Sequence, residues 1–303
     1  MNYKTIVHTI GNTPVVELKR YSPHPRVKII AKLEGANPGG SVKDRIALAM
    51  VLDAQKKGLL ATGKELLEAT SGNTGIGLAM LSAVFGYKFT AVMPESVSIE
   101  RRKLLQLYGA QLLLTDGVKG TNYAIEVARE LAQRESHKYV MLDQFTNQAN
   151  AMVHYQTTGT EIVREVPYIT HFVAGMGTGG TLMGVGKRLH EYNHLIQIIG
   201  VEPRAGSTIQ GLRNMSAYNP PIFKKEQLDQ TLALGDDEVA FELARDIFKT
   251  SGISVGISSG AALWGAIEVA KQLSEGIVVT MFPDRGDRYV STRLCQSMAV
   301  APL

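Results

Sequence analysis

A single cysteine, Cys295, stands in 303 residues. That excludes an intrachain disulfide and any metal cluster built on thiolates. Long apolar runs are missing too: no stretch could cross a bilayer. The N-terminal Met1-Asn-Tyr-Lys-Thr-Ile-Val-His-Thr9 has no apolar signal-peptide core. A soluble cytoplasmic protein without membrane contact is the expectation. Nor is there a strong excess of either charge, since 32 Lys and Arg face 28 Asp and Glu for a net +4. The longest basic clusters, Arg101-Arg102-Lys103 and Lys56-Lys57, fall in helical patterns beside acids. They read as solvated faces, which argues against nucleic acid as a partner. Short-period repeats and low-complexity segments are absent.

What is present is ample material for a core: 45% hydrophobic residues, with 30 glycines as punctuation. Strand-like runs alternate with helical ones, which predicts an α/β fold with mostly parallel sheets flanked by helices. Strands are expected at Val27–Leu33, Glu65–Ala69, Phe89–Met93, Gln111–Thr115, Tyr139–Asp143, His171–Ala174, Gln197–Val201, Ile253–Ile257 and Ile277–Phe282. Between Pro203 and Leu234 the pattern breaks. Each half carries one Gly-rich strand-to-helix loop, which suggests two lobes facing one another across a ligand-binding cleft.

The N-terminal half holds Asn37-Pro-Gly-Gly-Ser41-Val-Lys43-Asp44-Arg45. A helix is expected after the turn, with Val42, Ile46, Met50, Val51 and Ala54 on one face and Gly58 as its stop. Ser41 and Asp44 have the spacing of a capping box. Lys43 then sits in the first helical turn, where unpaired amides disfavour an ammonium and make the amine a better nucleophile toward an aldehyde. Taken alone, the reading as an ordinary surface lysine in a first turn would win.

Its neighbours change that balance. Thr70-Ser71-Gly72-Asn73-Thr74-Gly75 offers hydroxyls, an amide side chain and backbone N–H groups at a helix start, a grip for a phosphate or carboxylate. Gly175-Met-Gly177-Thr178-Gly179-Gly180-Thr181 fits the dinucleotide pattern G-x-G-x-x-G, and Glu202 stands about where a ribose-binding acid would. A nicotinamide-dependent dehydrogenase is therefore a competing reading, although Thr178 and Thr181 suit a terminal phosphate. Gly256-Ile-Ser258-Ser259-Gly260 is expected to close a strand and open a helix, either as an N-cap or with a hydroxyl aimed at a ring nitrogen. Asp284-Arg-Gly-Asp287-Arg288-Tyr289 reads by itself as a surface ion-pair turn. Two further patterns are decoys. His190-Glu-Tyr-Asn-His194 matches the zinc motif H-E-x-x-H, but Asn193 looks like a helix stop between the histidines. Gly58-Leu-Leu-Ala-Thr-Gly63-Lys64 starts like a P-loop, yet Glu65 replaces the hydroxyl residue and a strand follows. No metal site is expected.

A nucleophilic lysine, two anion loops and a ring-facing serine together suggest pyridoxal 5'-phosphate acting on an amino acid. The chain resembles the fold type II (tryptophan synthase β-like) pyridoxal-phosphate enzymes, and among them the cysteine synthases. Matching motifs run in family order from Ile10-Gly-Asn-Thr-Pro14 to Arg288-Tyr-Val-Ser-Thr292. Glu68-Ala-Thr-Ser-Gly-Asn-Thr-Gly75, Gly206-Ser-Thr-Ile209 and Asp284–Tyr289 resemble the B branch, O-acetylserine sulfhydrylase B.

The resemblance implies a mobile smaller lobe over residues 38–147, and a larger lobe from 1–37 plus 148–303, with the active site in the cleft between them. It implies that Lys43 forms the Schiff base, that Asn73 bonds the ring oxygen, and that Gly177, Thr178, Gly179, Gly180 and Thr181 cradle the phosphate. Ser258 would face the pyridine nitrogen. Unlike an aspartate it would not hold a proton there, which makes the ring a milder electron sink and favours prompt β-elimination. Thr70, Ser71, Thr74 and Gln144 would hold the substrate carboxylate. The implied reaction is β-replacement on O-acetyl-L-serine, through a Lys43 aldimine and an aminoacrylate. Sulfide would give L-cysteine, or thiosulfate S-sulfocysteine, with release of acetate. Arg213-Asn214-Met215 and Pro283 depart from the B pattern of Arg-Arg-Trp and Cys, which leaves Arg213 as the anion contact for the second substrate. A homodimer is the implied assembly. Cystathionine β-synthase-like or dehydratase chemistry would use the same scaffold.

Overall fold

The computed structural model describes residues 5–296. In chain order its strands are β1 (Val15–Glu17), β2 (Val27–Leu33), β3 (Glu65–Ala69), β4 (Phe89–Pro94), β5 (Gln111–Thr115), β6 (Tyr139–Met141), β7 (His171–Gly175), β8 (Gln197–Pro203), β9 (Gln230–Leu234) and β10 (Gly276–Phe282). The helices are α1 (Lys43–Lys56), α2 (Asn73–Phe85), α3 (Ile99–Leu107), α4 (Gly120–Arg134), α5 (Ala149–Val153), α6 (Gly159–Glu165), α7 (Gly180–Tyr192), α8 (Asp237–Ser251), α9 (Ile257–Ala270) and α10 (Arg293–Gln296). The chain forms two compact units, one of Met1–Ile10 with Asn37–Asn150, the other of Gly11–Ala36 with Ala151–Leu303.

The first unit is built on a four-stranded sheet in the order β5-β4-β3-β6, with every pairing parallel. β3 and β4 are buried at every position, as expected of strands covered on both faces. α2 is apolar nearly all round and correspondingly buried, whereas α4 presents Ala124, Ile125, Ala128 and Leu131 as a single buried stripe.

The second unit has a six-stranded sheet in the order β1-β2-β10-β7-β8-β9, parallel except for the antiparallel edge strand β1. Its core joins Ile29, Ala31, Val173 and Val201 of the sheet to Phe241, Ala244, Leu263 and Ala266 of α8 and α9. An Asp236 side chain accepts the Glu238 amide at the start of α8, and Gly252 ends it in the left-handed conformation.

The structure corrects several expectations. No strand forms at 253–257. Ile253, Val255 and Ile257 alternate because Val255 and Ile257 turn into the core, but the segment joins neither sheet. It runs instead beside the loop after β10, with the Gly256 amide donating to the Asp284 carbonyl at 3.1 Å. α9 consequently begins at Ile257, before Gly260, and Ser258 lies inside its first turn. β6 is shorter than expected, because Asp143 leaves it with φ +48°. The 203–234 stretch is not wholly irregular, since β9 closes it and pairs with β8.

Candidate active site

In the first unit the site is organised around the start of α1. Lys43 is the first helical residue and half-buried. The predicted capping box is replaced by a related device. Ser41 Oγ accepts the Lys43 amide at 3.2 Å, while the fully buried Asp44 reaches past Ser41 to the Gly39 amide at 2.6 Å. The Pro-Gly-Gly turn is thereby tied to the helix it precedes.

α2 packs directly on this turn. A Cβ on Gly77 would stand 3.1 Å from the Ala47 Cβ and 3.3 Å from the Lys43 carbonyl oxygen, so any side chain there would push the two helices apart by a few tenths of an ångström. Asn73 lies one turn earlier on the same face of α2, the face that meets the lysine turn.

Of the expected carboxylate donors, Thr70 and Ser71 lie in the loop before α2, Thr74 in its first turn and Gln144 after β6, and their hydrogen bonds distinguish them. Thr70 Oγ1 accepts the Gly75 amide at 3.0 Å, which leaves its proton to donate elsewhere. Thr74 Oγ1 donates to Gln144 Oε1 at 2.7 Å, in a bond buried from solvent. The Gln144 Oε1 is therefore engaged, while its side-chain N–H₂ has no partner among the described residues. The Ser71 carbonyl accepts Arg101 at 3.4 Å, and its hydroxyl likewise has no partner among the described residues. Thr70, Ser71 and Gln144 thus keep O–H or N–H donors uncommitted among the described residues, the chemistry that holds a carboxylate, while Thr74 gives its proton to Gln144.

Beneath them lies Glu68 on β3, fully buried. Burial pushes its carboxyl up to about 8, and the amides of Gln144 and Asp143 pull part of the way back. Asp143 is itself held by Arg129 at 3.0 Å.

In the second unit β7 leads into the Gly-rich loop and then α7. Gly179 has φ +86°, and a Cβ on it would stand 2.7 Å from Phe223. A Cβ on Gly177 would come within 2.7 Å of the Gly211 carbonyl oxygen. The N-cap of α7 is Gly179, so no N-cap side chain covers the amides at the helix end. Thr178 Oγ1 accepts the Gly180 amide at 3.3 Å. Thr181 meets His154 Nε2 at 3.3 Å, and the other ring nitrogen of this fully buried histidine meets Thr158 at 2.9 Å. His154 and Thr158 belong to a π-helical turn between α5 and α6, a form often found at functional sites.

Parallel pairing of β7 with β10 brings the loops that follow both strands to one sheet edge. α9 starts at that same edge, because Gly256 bonds Asp284 just beyond β10. Ser258 is 4% exposed and its hydroxyl has no partner among the described residues. The Asp284–Tyr289 turn is more than a surface ion pair: Arg285 and Asp287 are paired at its exposed rim, but the Tyr289 hydroxyl donates to the buried Asp284 at 2.6 Å. This places a rigid wall behind the start of α9. Arg213 donates its amide to the Met176 carbonyl at 2.7 Å and stacks its guanidinium 5.1 Å from the Tyr218 ring. Burial lowers its pKa.

The decoys resolve by geometry. α7 ends at Tyr192, His190 bonds the Ile196 carbonyl and Asp229, and His194 is exposed. Among the described residues no cluster could hold a metal. One Glu202 oxygen takes the Met215 amide at 2.6 Å, tying down the following loop. His154 was not singled out by motif, and Glu68 and the Asp284–Tyr289 pair entered only as parts of motifs, with no role of their own. The acid inside an apolar strand was a visible signal for Glu68, and nothing local marked His154.

Comparison with known proteins shows the family. The family described as pyridoxal-phosphate dependent enzyme matches residues 6–284. A cysteine synthase of Aquifex aeolicus is 48% identical over 96% of this chain and 92% of its own. Cysteine synthase B of Salmonella typhimurium is 45% identical over 95% of each. The crystal structure of a cysteine synthase from Entamoeba histolytica superposes with TM-score 0.92 at 36% identity, covering 100% of this chain and 93% of that one.

Proposed function

The chain belongs to the pyridoxal-phosphate-dependent enzymes, among the cysteine synthases of fold type II, and from that premise we propose which of its residues carry out β-replacement on O-acetyl-L-serine with sulfide. The products are L-cysteine and acetate. The observation that carries the residue assignment is the convergence, within one unit, of the Lys43 turn and the donors of Thr70, Ser71 and Gln144.

The residues of the chain fit the cofactor. Gly177, Thr178, Gly179, Gly180 and Thr181 would hold its phosphate at the start of α7, where the N-cap is a glycine. Ser258 would donate its uncommitted hydroxyl to the ring nitrogen, Asn73 would bond the ring oxygen, and Lys43 would hold the aldehyde carbon through Nζ. When bound, the cofactor supplies an electron sink for the bonds at Cα and Cβ.

The protein does the rest. Thr70, Ser71 and Gln144 donate to the substrate carboxylate, and the Thr74–Gln144 bond keeps the glutamine amide turned outward. This fixes Cα, so that Lys43 Nζ, freed by the incoming amine, takes the α-proton. The Cβ–O bond breaks and acetate leaves. Hydrosulfide adds to Cβ, and Lys43 returns the proton to Cα. Arg213 lies beside the Gly-rich loop through Met176 and would contact an anionic second substrate; the same contact extends the reading to thiosulfate, with S-sulfocysteine as product. A cytoplasmic homodimer completes the proposal, and light scattering of the purified protein tests the assembly.

The deciding experiment is an absorbance spectrum with borohydride trapping. The wild type should carry a visible chromophore that shifts with O-acetylserine and reverts with sulfide, and borohydride should fix it to the peptide containing Lys43. Lys43→Ala should lose at least about 10²-fold in turnover. Full turnover by that variant would end this account of the site.

A further inference from the structure

Glu68 is an anomaly in its strand. β3 reads Glu-Leu-Leu-Glu-Ala and is buried at every position, and Glu68 is fully shielded from solvent among Leu66, Leu67 and Ala69. Burying a carboxyl group is costly unless its oxygens are satisfied. Here they are satisfied by the backbone of another segment: the Asp143 amide donates to Oε2 at 2.8 Å and the Gln144 amide to Oε1 at 3.2 Å. These are consecutive amides. Each oxygen of a carboxyl group keeps a lone pair to accept from an amide even when the group carries its proton, whereas a glutamine would present an N–H₂ to one of them.

The segment so held would not hold its shape by itself. Asp143 is a non-glycine residue in the left-handed region, φ +48°, which needs external support. Arg129 grips its side chain at 3.0 Å, and Asn150 Nδ2 donates to the Gln144 carbonyl at 2.8 Å. With its main chain clamped at three points, Gln144 can present Oε1 to Thr74 and keep its N–H₂ free.

We propose that Glu68 is a positioning residue for the amino-acid substrate: by clamping the Asp143 and Gln144 amides it aims the Gln144 side-chain N–H₂ at the substrate carboxylate. The role rests on the reading of Gln144 as a carboxylate contact and adds to it the buried group that sets its direction. Glu68 touches neither substrate nor cofactor. Its effect passes through Gln144, so it must disappear when Gln144 has no side chain to aim.

The test is steady-state kinetics on cofactor-loaded wild type, Glu68→Gln, Gln144→Ala and the double variant. Turnover of O-acetylserine with sulfide by the wild type tests the functional reading itself; its absence would remove that reading and this role together. Given that turnover, Glu68→Gln should raise the KM for O-acetylserine about tenfold, the effect of about one misplaced hydrogen bond to a charged group. The KM for sulfide and the chromophore content should stay unchanged. In the Gln144→Ala background the same change should add less than about twofold. An unaltered KM in Glu68→Gln, or an effect that multiplies fully with Gln144→Ala, overturns the positioning role and leaves the functional reading standing. If Glu68→Gln does not fold, amide exchange on the wild type decides: L-alanine, an unreactive amino acid, should slow exchange at residues 143–144. Unchanged exchange there with L-alanine bound would overturn the role.

Discussion

At the scale of single residues, the chemistry depends on which protons are already engaged. Thr74 and Gln144 form one unit: the hydroxyl of the first fixes the amide orientation of the second. Thr74→Val should therefore raise the KM for the amino-acid substrate by about tenfold, comparably to Gln144→Ala, with the coupling measured by a double-mutant cycle. Glu68 adds a pH signature. Its carboxyl is raised from 4.5 to about 8 by burial, against the pull of the two amides, with Asp143 and Arg129 as the charged groups facing it. Between those values the folded chain keeps a proton that the unfolded chain has released. The group's stabilisation is thus full below pH 4.5 and lost as the pH rises toward 8. Urea midpoints of wild type and Glu68→Gln, compared from pH 5 to 8, should show the wild type losing ground by up to about 1.4 kcal/mol per pH unit. A constant difference would show that Glu68 does not titrate in this range.

At the scale of elements, two loops were legible because polar and glycine residues crowd at strand-to-helix junctions with no other purpose. The lysine helix was legible from its periodicity, and the structure starts it at Lys43. The failures have one physical origin: local pattern records burial but not partner. Val255 and Ile257 alternate with Ser254 and Gly256 as strand residues would, yet they insert into the core and the segment joins neither sheet. β9 was missed because its residues are only partly buried and its identity depends on β8. The α1–α2 contact is likewise invisible to pattern, and it turns on Gly77. Replacing Gly77 by Val would drive a branched side chain into Ala47 and the Lys43 carbonyl. The expected cost is about 1–3 kcal/mol in chemical denaturation, together with loss of turnover as the lysine turn shifts. A Gly77→Val protein as stable and active as wild type would mean the two helices can separate without consequence.

For the whole molecule, the candidate residues divide between the two units: Lys43, Thr70, Ser71, Thr74 and Gln144 belong to the first, the start of α7, Ser258 and Arg213 to the second. A ligand that engages residues of the folded chain only will stabilise it by mass action. Free cofactor at a hundred times its dissociation constant contributes about 2.7 kcal/mol, so removing it should lower the melting midpoint by several degrees, and adding it back should restore the midpoint. Equal midpoints with and without cofactor would argue that the site is not formed by the native fold. The buried Lys32 anchors the second unit, with Glu161 at 3.0 Å, Glu165 at 3.1 Å and the Thr13 carbonyl at 2.7 Å. This network ties the start of the chain to α6, and neither its burial nor its partners could be read from spacing.

The residue order by itself determined the class of fold, through periodicity, and the family, through the resemblance of its motifs taken in order. It singled out Lys43 and the two Gly-rich loops as candidates, from glycine in sharp junctions and hydroxyls at helix starts. Tertiary structure alone decided which donors remain available to a ligand. The Thr74–Gln144 bond joins residues 70 positions apart, and the Glu68 clamp on Gln144 spans 76. Hydrogen-bond satisfaction depends on what packing brings into contact, and no local pattern encodes it.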